Sequence, residues 1–489
     1  MKLNTGLLLV SFLPAMAGIA HGIELPEGFV DETYIDGFDG QVTAFDTQSR
    51  GRLFISEKSG IVRVAVDGQI LEDPFLDITD IVNDRVDRGM LSLAVHPEFP
   101  QSPYIFVLYT YDPPELLTNN LTDPDTGVLD GNGNRVARLV RYTADASRDY
   151  NVAIEGSEKI ILGTNSTFDS IGNPEDVFDT LNPSCGAIGD PLEDCLPSDE
   201  ITHTIGSLRF AADGSLYVTN GDGASFRDFN SLSQMTYDLD SLRGKLLRID
   251  AQTGLGLPDN PFYDGDPGSN RSRVVSYGLR NPYSLTIHPL TGVPYIGEVG
   301  DEFWEEINSG VGKNFGWPCY EGGTSGSLPK EGFASKPFCQ ELYDSNTAVE
   351  APLISWQHDG MGYAAIVGDF YFGEEFPEQY SGKLFYGDFI KRWLRYADVS
   401  DPGNVRDFAF ATDMPPMVEM RSGEDGSLYY ASITTGEIRR IRYTGANVVD
   451  RDGGEETGQV SIGRMSHHVI ALLMFTFWLK RYLRFRPQF

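Results

Sequence analysis

The chain has 489 residues, and its acidic residues outnumber the basic ones by 71 to 38, which gives a formal charge of −33. A surplus of acid on this scale repels nucleic acid and anionic lipid, so we expect neither as a partner. Aromatic residues make up 12% of the chain, which favours a folded core over a disordered acidic polymer.

Residues 1–22 have the pattern of a secretory signal peptide. A lysine precedes an apolar run from Leu7 to Leu13, and small residues that suit a cleavage site follow it. We therefore expect a secreted or periplasmic protein whose mature chain begins between Gly18 and Ile23.

Four cysteines suit that compartment because disulfides persist in oxidising environments. Cys185 and Cys195 form one local couple, and Cys319 and Cys339 form another. Local pairing is the simplest of the three possible connectivities. Neither couple has the Cys-x-x-Cys spacing of a zinc or thioredoxin-like site.

One short pattern recurs along the chain: glycine, a small or polar residue, an apolar residue and an aromatic residue, followed by an apolar strand. Its copies lie at 50–56, 213–219, 291–297, 381–387 and 425–431. They have the alternation of β-hairpins, and no long helical pattern separates them. Hairpins repeated over residues 23–445 predict an all-β propeller, in which radial closure protects the strand edges. Six blades with long loop insertions fit the spacing best, and seven are the alternative.

His203 is a candidate general base. It lies in a loop just before a hairpin, where a side chain can face the mouth of a propeller's central channel. Imidazole titrates near neutral pH, which suits proton transfer. The alternative is a loop histidine that bonds a backbone carbonyl. His358, in a second loop with glycines, is another candidate for the same mouth.

The segment 277–308 gathers several chemically useful groups at the ends of one predicted hairpin. Arg280 and Asn281 stand just before a proline, which disfavours a helix there. Glu298, Gly300 and Asp301 follow the return strand. This hairpin is either part of a functional site or an acidic hairpin with a structural arginine.

Several enzyme classes have no support in the sequence. The chain lacks a serine nucleophile elbow, a His-Glu-x-x-His helix and a Gly-x-Gly-x-x-Gly turn between a strand and a helix. Covalent hydrolysis, zinc proteolysis and Rossmann-type nucleotide binding are therefore not indicated.

An ordered series of motifs resembles the soluble glucose/sorbosone dehydrogenase family. The motifs are Gly89–Phe99, Ile201–Asp222, Leu242–Asp250, Pro258–Phe262, Gly278–Pro282, Gly297–Asp301 and Asn314–Pro318. The resemblance runs in order from about Leu25 to Tyr443. It implies a six-bladed propeller that acts as an aldose dehydrogenase with pyrroloquinoline quinone (PQQ) and calcium.

The resemblance also implies roles for individual residues. His203 looks like the catalytic base, and Arg280 looks like the cation beside the quinone oxygen where negative charge develops. Asn281 and Lys391 look like cofactor contacts. Asp87 stands at a cofactor-binding position where glucose-oxidising members have a glutamine.

The calcium ligands of the family correspond to residues that follow the return strand of the same hairpin. The backbone carbonyls of Gly300 and Asp301 look like these ligands, and the metal would polarise the quinone. Glu298 and the pair Glu305 and Glu306 are then expected to have structural or supporting roles.

Two further positions depart from the family pattern. Thr202 stands where glucose-oxidising members have an acid before the base. The arginine pair that grips the cofactor carboxylates has no clear counterpart, and only Arg421 lies near that place, out of register.

The predicted reaction is oxidation of the anomeric, or a related, hydroxyl of an aldose to a lactone. Hydride passes to PQQ, the proton passes to His203, and electrons go on to a periplasmic acceptor. The same fold also serves non-enzymatic relatives of the hedgehog-interacting type. The alternative is therefore a catalytically silent propeller that binds carbohydrate or protein at the channel mouth, or another propeller enzyme such as a lactonase.

The C-terminus differs in composition from the rest. Residues 446–463 have the composition of a Gly/Glu-rich linker, and residues 464–489 form an apolar tail with a basic end. The apolar run Val469–Leu479 would extend about 16 Å as a helix, against about 30 Å of bilayer hydrocarbon. We expect a membrane tether or a sorting signal, and the alternative is a buried terminal helix.

Overall fold

Six sheets, whose strands are antiparallel except for one outer pair, surround a central channel in the computed structural model of the protein. The model describes residues 22–49, 51–119, 131–175, 180–224, 230–323, 326–329, 332–345, 347–360 and 362–445. The innermost strand of each sheet contacts the innermost strands of the two neighbouring sheets, so the sheets close into a ring. Within the described ranges the fold is therefore the predicted all-β propeller with six blades rather than seven.

The first three blades follow one another in the chain, and in each of them the chain begins with the inner strand and proceeds outward. Blade 1 contains Val42–Ser49, Arg52–Glu57, Ile61–Val66 and Gln69–Ile70, with Leu76–Asp77 paired beside its third strand. Blade 2 contains Met90–Val95, Tyr104–Tyr111, Arg135–Thr143 and Lys159–Leu162, with Leu196–Ser198 added. Blade 3 contains Ile205–Phe210, Leu216–Asn220, Lys245–Ile249, Val274–Tyr277 and Lys313–Asn314.

The last blade closes the ring with a strand from the start of the chain. Blade 4 contains Pro282–Ile287, Pro294–Glu298, Trp304–Ser309 and Ile354–Gln357. Blade 5 contains Ala365–Tyr371, Lys383–Asp388, Trp393–Asp398 and Arg406–Ala411. Blade 6 contains Met417–Ser422, Leu428–Ser432, Glu437–Tyr443 and, as its outer strand, Phe29–Ile35.

Shorter elements lie between the blade strands. Two small hairpins are Gly186–Ala187 with Asp190–Pro191, and Tyr320–Gly323 with Gly326–Pro329. The α-helices are Glu115–Thr118, Asn270–Arg273 and Pro337–Asp344, and the 3₁₀-helices are Thr79–Ile81, Ala146–Arg148, Phe168–Ser170, Ser231–Thr236 and Glu378–Tyr380.

The recurring glycine pattern forms the turn between the first and second strands of a blade. In blade 3, Gly214 has φ = +83°, which glycine adopts without steric cost. The Asp213 side chain accepts a hydrogen bond from the N–H of Ser215 at 2.9 Å and so closes the turn. Asp425–Ser427 forms the same turn in blade 6.

The hydrophobic core lies between the faces of neighbouring blades rather than at the centre. Six clusters of buried apolar side chains fill the six interfaces between blades within the described ranges. A seventh, smaller cluster surrounds the disulfide between Cys319 and Cys339. Each blade packs against both of its neighbours, so strands such as Met90–Val95 and Leu216–Asn220 are buried on both faces.

The two ends of the central channel differ. All inner strands begin at one end, here called the site end, and finish at the other, here called the far end. Tyr283, on the inner strand of blade 4, packs against three of the interface clusters and therefore lies near the axis between the two ends.

Both predicted disulfides are present, Cys185–Cys195 and Cys319–Cys339. The predicted signal peptide falls almost wholly on residues 1–21, and the predicted linker and tail fall on 446–489, all outside the described residues. Among the described residues, no helix has the length and apolar character needed to cross a bilayer.

Candidate active site

His203 lies at the site end, two residues before the inner strand of blade 3. It is 4% exposed, and its Nδ1 lies 3.1 Å from Oδ1 of Asp222. Its backbone has φ = +50°, a left-handed conformation that costs an L-residue about 1–2 kcal/mol. The carbonyl of His203 accepts a hydrogen bond from the N–H of Gly223 at 3.0 Å, which helps to hold this conformation.

Asp222 fixes the tautomer of His203. Its buried carboxyl group accepts hydrogen bonds from four groups: Nδ1–H of His203 at 3.1 Å, the N–H of Ala224 at 2.9 Å, the hydroxyl of Ser233 at 3.1 Å and the indole of Trp317 at 2.8 Å. Burial acts to raise the pKa of Asp222, but His203 and Arg280 outweigh it and lower that pKa below its ordinary value. Because an ionised carboxylate only accepts, Nδ1 of a neutral His203 carries the hydrogen and Nε2 keeps a free lone pair.

The turn at Arg280 and Asn281 is joined directly to this pair. The N–H of Asp222 donates to the carbonyl of Arg280 at 2.8 Å. One carboxyl oxygen of Glu298 accepts the N–H groups of Arg280 and Asn281 at 2.8 and 2.6 Å. Burial raises the pKa of Glu298 well above its ordinary value. The turn is therefore shaped by a supporting acid, as the sequence predicts for Glu298.

The Arg280 side chain bonds to the loop after the return strand. Its Nη1 donates to the carbonyls of Val299 at 3.1 Å and Gly300 at 2.7 Å, and its Nη2 donates to Oδ1 of Asp301 at 2.8 Å. The guanidinium also lies over the ring of Trp317, 5.3 Å from its centre. Its Nε is buried and has no hydrogen-bond partner in the described part of the chain.

Asp87 lies beside the same groups. Its N–H donates to the carbonyl of Ile201 at 3.0 Å, and its carbonyl accepts the hydroxyl of Thr204 at 3.2 Å, so its loop packs on the His203 loop. Asp87 is accessible to water but has protein on most sides. This partial desolvation raises the pKa of its carboxyl group, while the charges of His203, Lys58 and Arg280 oppose the rise.

Lys391 connects to this end of the channel through a chain of contacts. Its Nζ lies 2.7 Å from Oδ1 of Asp359 and 4.1 Å from the ring centre of Tyr363. Tyr363 stacks on His358 with ring centres 4.4 Å apart, and Nε2 of His358 lies 2.9 Å from a carboxyl oxygen of Glu305. Both Lys391 and His358 are thus near the loop at Gly300, but each already has an acidic partner.

The loop that carries Gly300 has little freedom. One oxygen of Glu321 accepts the four backbone N–H groups of Asp301–Trp304, at 2.8–3.2 Å. A Cβ atom at Gly300 would lie 1.6 Å from the carbonyl oxygen of Trp304, so only glycine fits there. Glu305 accepts the N–H of Gly300 at 3.2 Å. The Gly300 carbonyl is thereby aimed at Arg280.

Comparison with known proteins assigns the family. A family model described as glucose/sorbosone dehydrogenase matches residues 42–163 and 194–440, which is most of the propeller. The chain belongs to this family. The match takes in His203, Arg280 and their partners.

The relatives of this chain include one named as a dehydrogenase and one named as a hedgehog-interacting protein. The aldose sugar dehydrogenase YliI of Escherichia coli is 30% identical over 242 residues, covering 49% of this chain and 60% of that protein. The HIPL2 protein of Arabidopsis thaliana is 24% identical over 414 residues, covering 77% of this chain and 54% of that protein. Human hedgehog-interacting protein is 26% identical over 251 residues, or 49% of this chain and 29% of that protein. The chain thus spans less than two thirds of each of these relatives.

Solved structures share the fold. The apo-form of the soluble aldose sugar dehydrogenase of Escherichia coli matches with a TM-score of 0.59 and 21% identity, covering 84% of this chain and 99% of that one. The PQQ-bound aldose sugar dehydrogenase of Streptomyces coelicolor matches with a TM-score of 0.54 and 16% identity, covering 86% and 99%. At these identities the likeness establishes the propeller and not the ligand.

The predicted site residues converge at the site end. His203, Arg280 and Asp87 interact electrostatically, and Asn281 is in the turn beside them. Arg421, which the sequence places near the family's arginine pair but out of register, is not part of this group. It is the fifth residue of the inner strand of blade 6, toward the far end, where it pairs with Glu419 at 2.9 Å.

Sequence reasoning missed Asp222, Trp317 and Lys58 as parts of the site. Asp222 ends a Thr-Asn-Gly-Asp run directly after the second strand of blade 3, which was a usable signal. Trp317 comes from the long connection between strands of blade 4 and reaches Asp222 across 95 residues, which no local pattern reveals. Lys58 projects from blade 1 toward Asp84 and Asp87.

The residues fit the reacting end of a quinone better than they fit calcium. The open lone pair of His203 Nε2 and the positive charge of Arg280 suit a quinone oxygen and a substrate hydroxyl. The Gly300 carbonyl, however, accepts a hydrogen bond from Arg280, so calcium binding there requires Arg280 to move. Among the described residues, no group of three or more His, Cys, Asp or Glu side chains is placed to hold a metal ion.

Proposed function

We propose that this chain is a quinone-dependent sugar dehydrogenase that oxidises the anomeric hydroxyl of an aldose to a lactone. The observation that carries the proposal is the contact between His203 and Asp222 at 3.1 Å, together with the backbone bond from Asp222 to Arg280 at 2.8 Å. These contacts place a base and a cation on one rigid support. Membership of the glucose/sorbosone dehydrogenase family supports the same reaction class.

His203 is the base in this proposal. Asp222 keeps the hydrogen on Nδ1, so Nε2 accepts the proton of the sugar hydroxyl, and the imidazolium that results lies beside an ionised carboxylate. A well-placed base contributes about 10²–10⁴-fold to a rate. The strained backbone and near-complete burial of His203 fix the direction of the lone pair, which lowers the entropic cost of reaching a reactive geometry.

Arg280 and Asn281 are the proposed cofactor contacts. PQQ, when bound, supplies the two-electron oxidant that takes the hydride from C1. Arg280 places a fixed positive charge where an oxyanion develops, and its buried Nε has a donor to offer. Asn281 has no side-chain hydrogen bond among the described residues, so its amide is available to a ligand. Lys391 and Asp87 are proposed at the rim of the same site. The family resemblance predicts calcium at Gly300 and Asp301, but the Arg280 side chain bonds to both residues in this structure and must move before a metal can bind, so no step is assigned to calcium.

A binding function without catalysis is the second candidate. Hedgehog-interacting protein is among the relatives, and here the Arg280 guanidinium is already occupied by Gly300 and Asp301. Asp87 adds a carboxyl group near the place where an anionic quinone would bind. Both features favour a mouth that recognises a neutral sugar or a protein.

The two candidates are separated by reconstitution. The full chain is incubated with PQQ, and dye reduction is followed across a panel of aldoses and sugar alcohols, with lactone detected as product. We expect activity with at least one aldose and its loss in His203→Ala. If PQQ does not bind at micromolar concentration while a panel sugar does, the binding function is the correct one.

We also propose that the protein is secreted, that a C-terminal segment tethers it to a membrane or directs its sorting, and that electrons leave to a periplasmic acceptor. The two disulfides support an oxidising compartment. Mass spectrometry of the native protein tests the termini. Retention of residues 1–22 contradicts secretion by a cleaved signal, and an intact Phe489 contradicts processing of the tail.

A further inference from the structure

The far end of the channel contains a polar ring that the proposed reaction does not use. Four consecutive inner strands, of blades 3 to 6, each place their fifth residue there: Arg209, Thr286, Asp369 and Arg421. These four side chains line a cavity of about 720 Å³. That volume lies within the range of about 300–1,000 Å³ that is usual for ligand pockets.

A buried ion pair forms the floor of this cavity. Nη2 of Arg209, in blade 3, lies 2.6 Å from a carboxyl oxygen of Glu419, in blade 6. Blades 3 and 6 stand opposite each other in the ring of six, so the pair crosses the channel. Tyr283 packs near the axis from blade 4. The cavity is therefore a pocket with a closed floor and not an extension of the site at His203.

The guanidinium group of Arg421 has N–H donors without a hydrogen-bond partner among the described residues. It is 8% exposed, and Nε is its one nitrogen with a hydrogen bond among the described residues, to Glu419 at 2.9 Å. Nη2 is buried without a partner, and the side chain lines the cavity. A buried donor without an acceptor costs about 1–3 kcal/mol, so a ligand with an acceptor oxygen recovers that energy.

The charges around the cavity select a neutral ligand. On the floor, Arg209 and Arg421 are balanced by Glu419 and Asp369. At the rim the lining adds four acidic side chains and no further base: Glu374, Glu375, Glu424 and Asp425. Of these, Asp425 lies 3.6 Å from Arg440, which is outside the lining. An anion is repelled by the acidic rim and by the net charge of −33. An ammonium ion has only donors, so it leaves the unpartnered Nη2 of Arg421 without an acceptor.

The walls offer an aromatic surface. Phe372 is 41% exposed, although large apolar side chains are usually buried, and it lines the cavity with Phe210 and Phe370. An exposed ring beside hydrogen-bonding groups suits a ligand with an apolar face and hydroxyl edges.

We propose that the far end of the channel binds a neutral sugar of monosaccharide or disaccharide size. Arg421 donates to its ring or hydroxyl oxygens, the rim carboxylates accept from its hydroxyls, and Phe372 covers its C–H face. This site is separate from the site at His203, and the proposal holds whether or not the chain is a dehydrogenase.

Saturation-transfer difference NMR on the full chain tests the proposal, with glucose and maltose as probes and glucuronate as the anionic comparison. We expect dissociation constants for maltose to rise about tenfold, or about 1.4 kcal/mol, in Phe372→Ala and in Arg421→Met. Phe408→Ala is the matched control, because Phe408 is 43% exposed on the outer strand of blade 5 and does not line the cavity. It should bind maltose as the wild type does.

His203→Asn separates this proposal from the proposed dehydrogenase. If it loses dye reduction but keeps the maltose signal that Phe372→Ala weakens, the far-end site stands by itself. An unchanged dissociation constant in both pocket variants overturns the proposal. So does tighter binding of glucuronate than of glucose, or the absence of any neutral-sugar signal at millimolar concentration.

Discussion

The two residues of the ion pair that crosses the channel, Arg209 and Glu419, should contribute unequally to the free energy of unfolding. The side chains of Arg209 and Glu419 are 7% and 6% exposed and lie 2.6 Å apart, and Arg421 holds the same carboxyl oxygen at 2.9 Å. Breaking a buried pair by removing one partner costs about 3–5 kcal/mol, because an uncompensated charge stays behind. Glu419→Gln leaves two neighbouring buried guanidinium groups and should cost that full amount. Arg209→Met leaves Glu419 paired with Arg421 and should cost about 1–3 kcal/mol.

Urea unfolding measured for both single variants and the double variant tests this order. The double variant should cost less than the sum of the single ones, since removing Arg209 relieves the repulsion that Glu419→Gln exposes. Arg395→Met is the control, because its ion pair with Asp407 is 36% and 39% exposed and should contribute less than about 1 kcal/mol. If Arg209→Met proves more costly than Glu419→Gln, the reasoning about residual charge is wrong.

Three further predictions concern the site end. Burial raises the pKa of Glu306 from 4.5 to about 7, so the folded protein keeps a proton that the unfolded chain loses, and stability falls by about 3 kcal/mol as the pH rises from 4.5 to 7. Glu306→Gln should therefore stabilise the protein against urea at pH 8 and not at pH 4, and an equal effect at both pH values contradicts the assignment. Gly300→Ala should destabilise by about 1–3 kcal/mol through the clash with the Trp304 carbonyl. Gly403→Ala should be neutral in the same assay, because an added Cβ there lies 3.5 Å from its nearest contact, Oδ1 of Asp401. Calcium should not raise the melting temperature of the wild type while Arg280 holds the Gly300 carbonyl, but should do so in Arg280→Met, and a calcium-dependent shift in the wild type would show that Arg280 yields to the metal.

The propeller could be predicted because its signals are local. A turn such as Asp213–Ser215 needs glycine at its centre and an aspartate to close it, and both requirements are visible within a few residues. The spacing of these turns along the chain favours six blades, with seven as the alternative. Closure by Phe29–Ile35 could not be read in the same way, because it pairs the two ends of the domain through bonds that span about 400 positions.

The site could be predicted only in part, because its contacts join different blades. The motifs around His203 and Arg280 predict their roles. The roles of Asp222 and Trp317 cannot be predicted in this way, because they depend on hydrogen bonds that form only in the folded chain. Arg421 shows the same limit. Its contact with Glu419, and the contact of Glu419 with Arg209 in the opposite blade, exist only in the folded chain.

The most direct test of the proposed chemistry separates cofactor binding from turnover at His203. PQQ is titrated into the wild type and into His203→Asn, and binding and the rate of dye reduction with the best aldose are measured on the same samples. The account predicts similar PQQ affinity in both proteins and a rate about 10²–10⁴-fold lower in His203→Asn. A wild type that binds no PQQ, or a His203→Asn variant that keeps the wild-type rate, would contradict it.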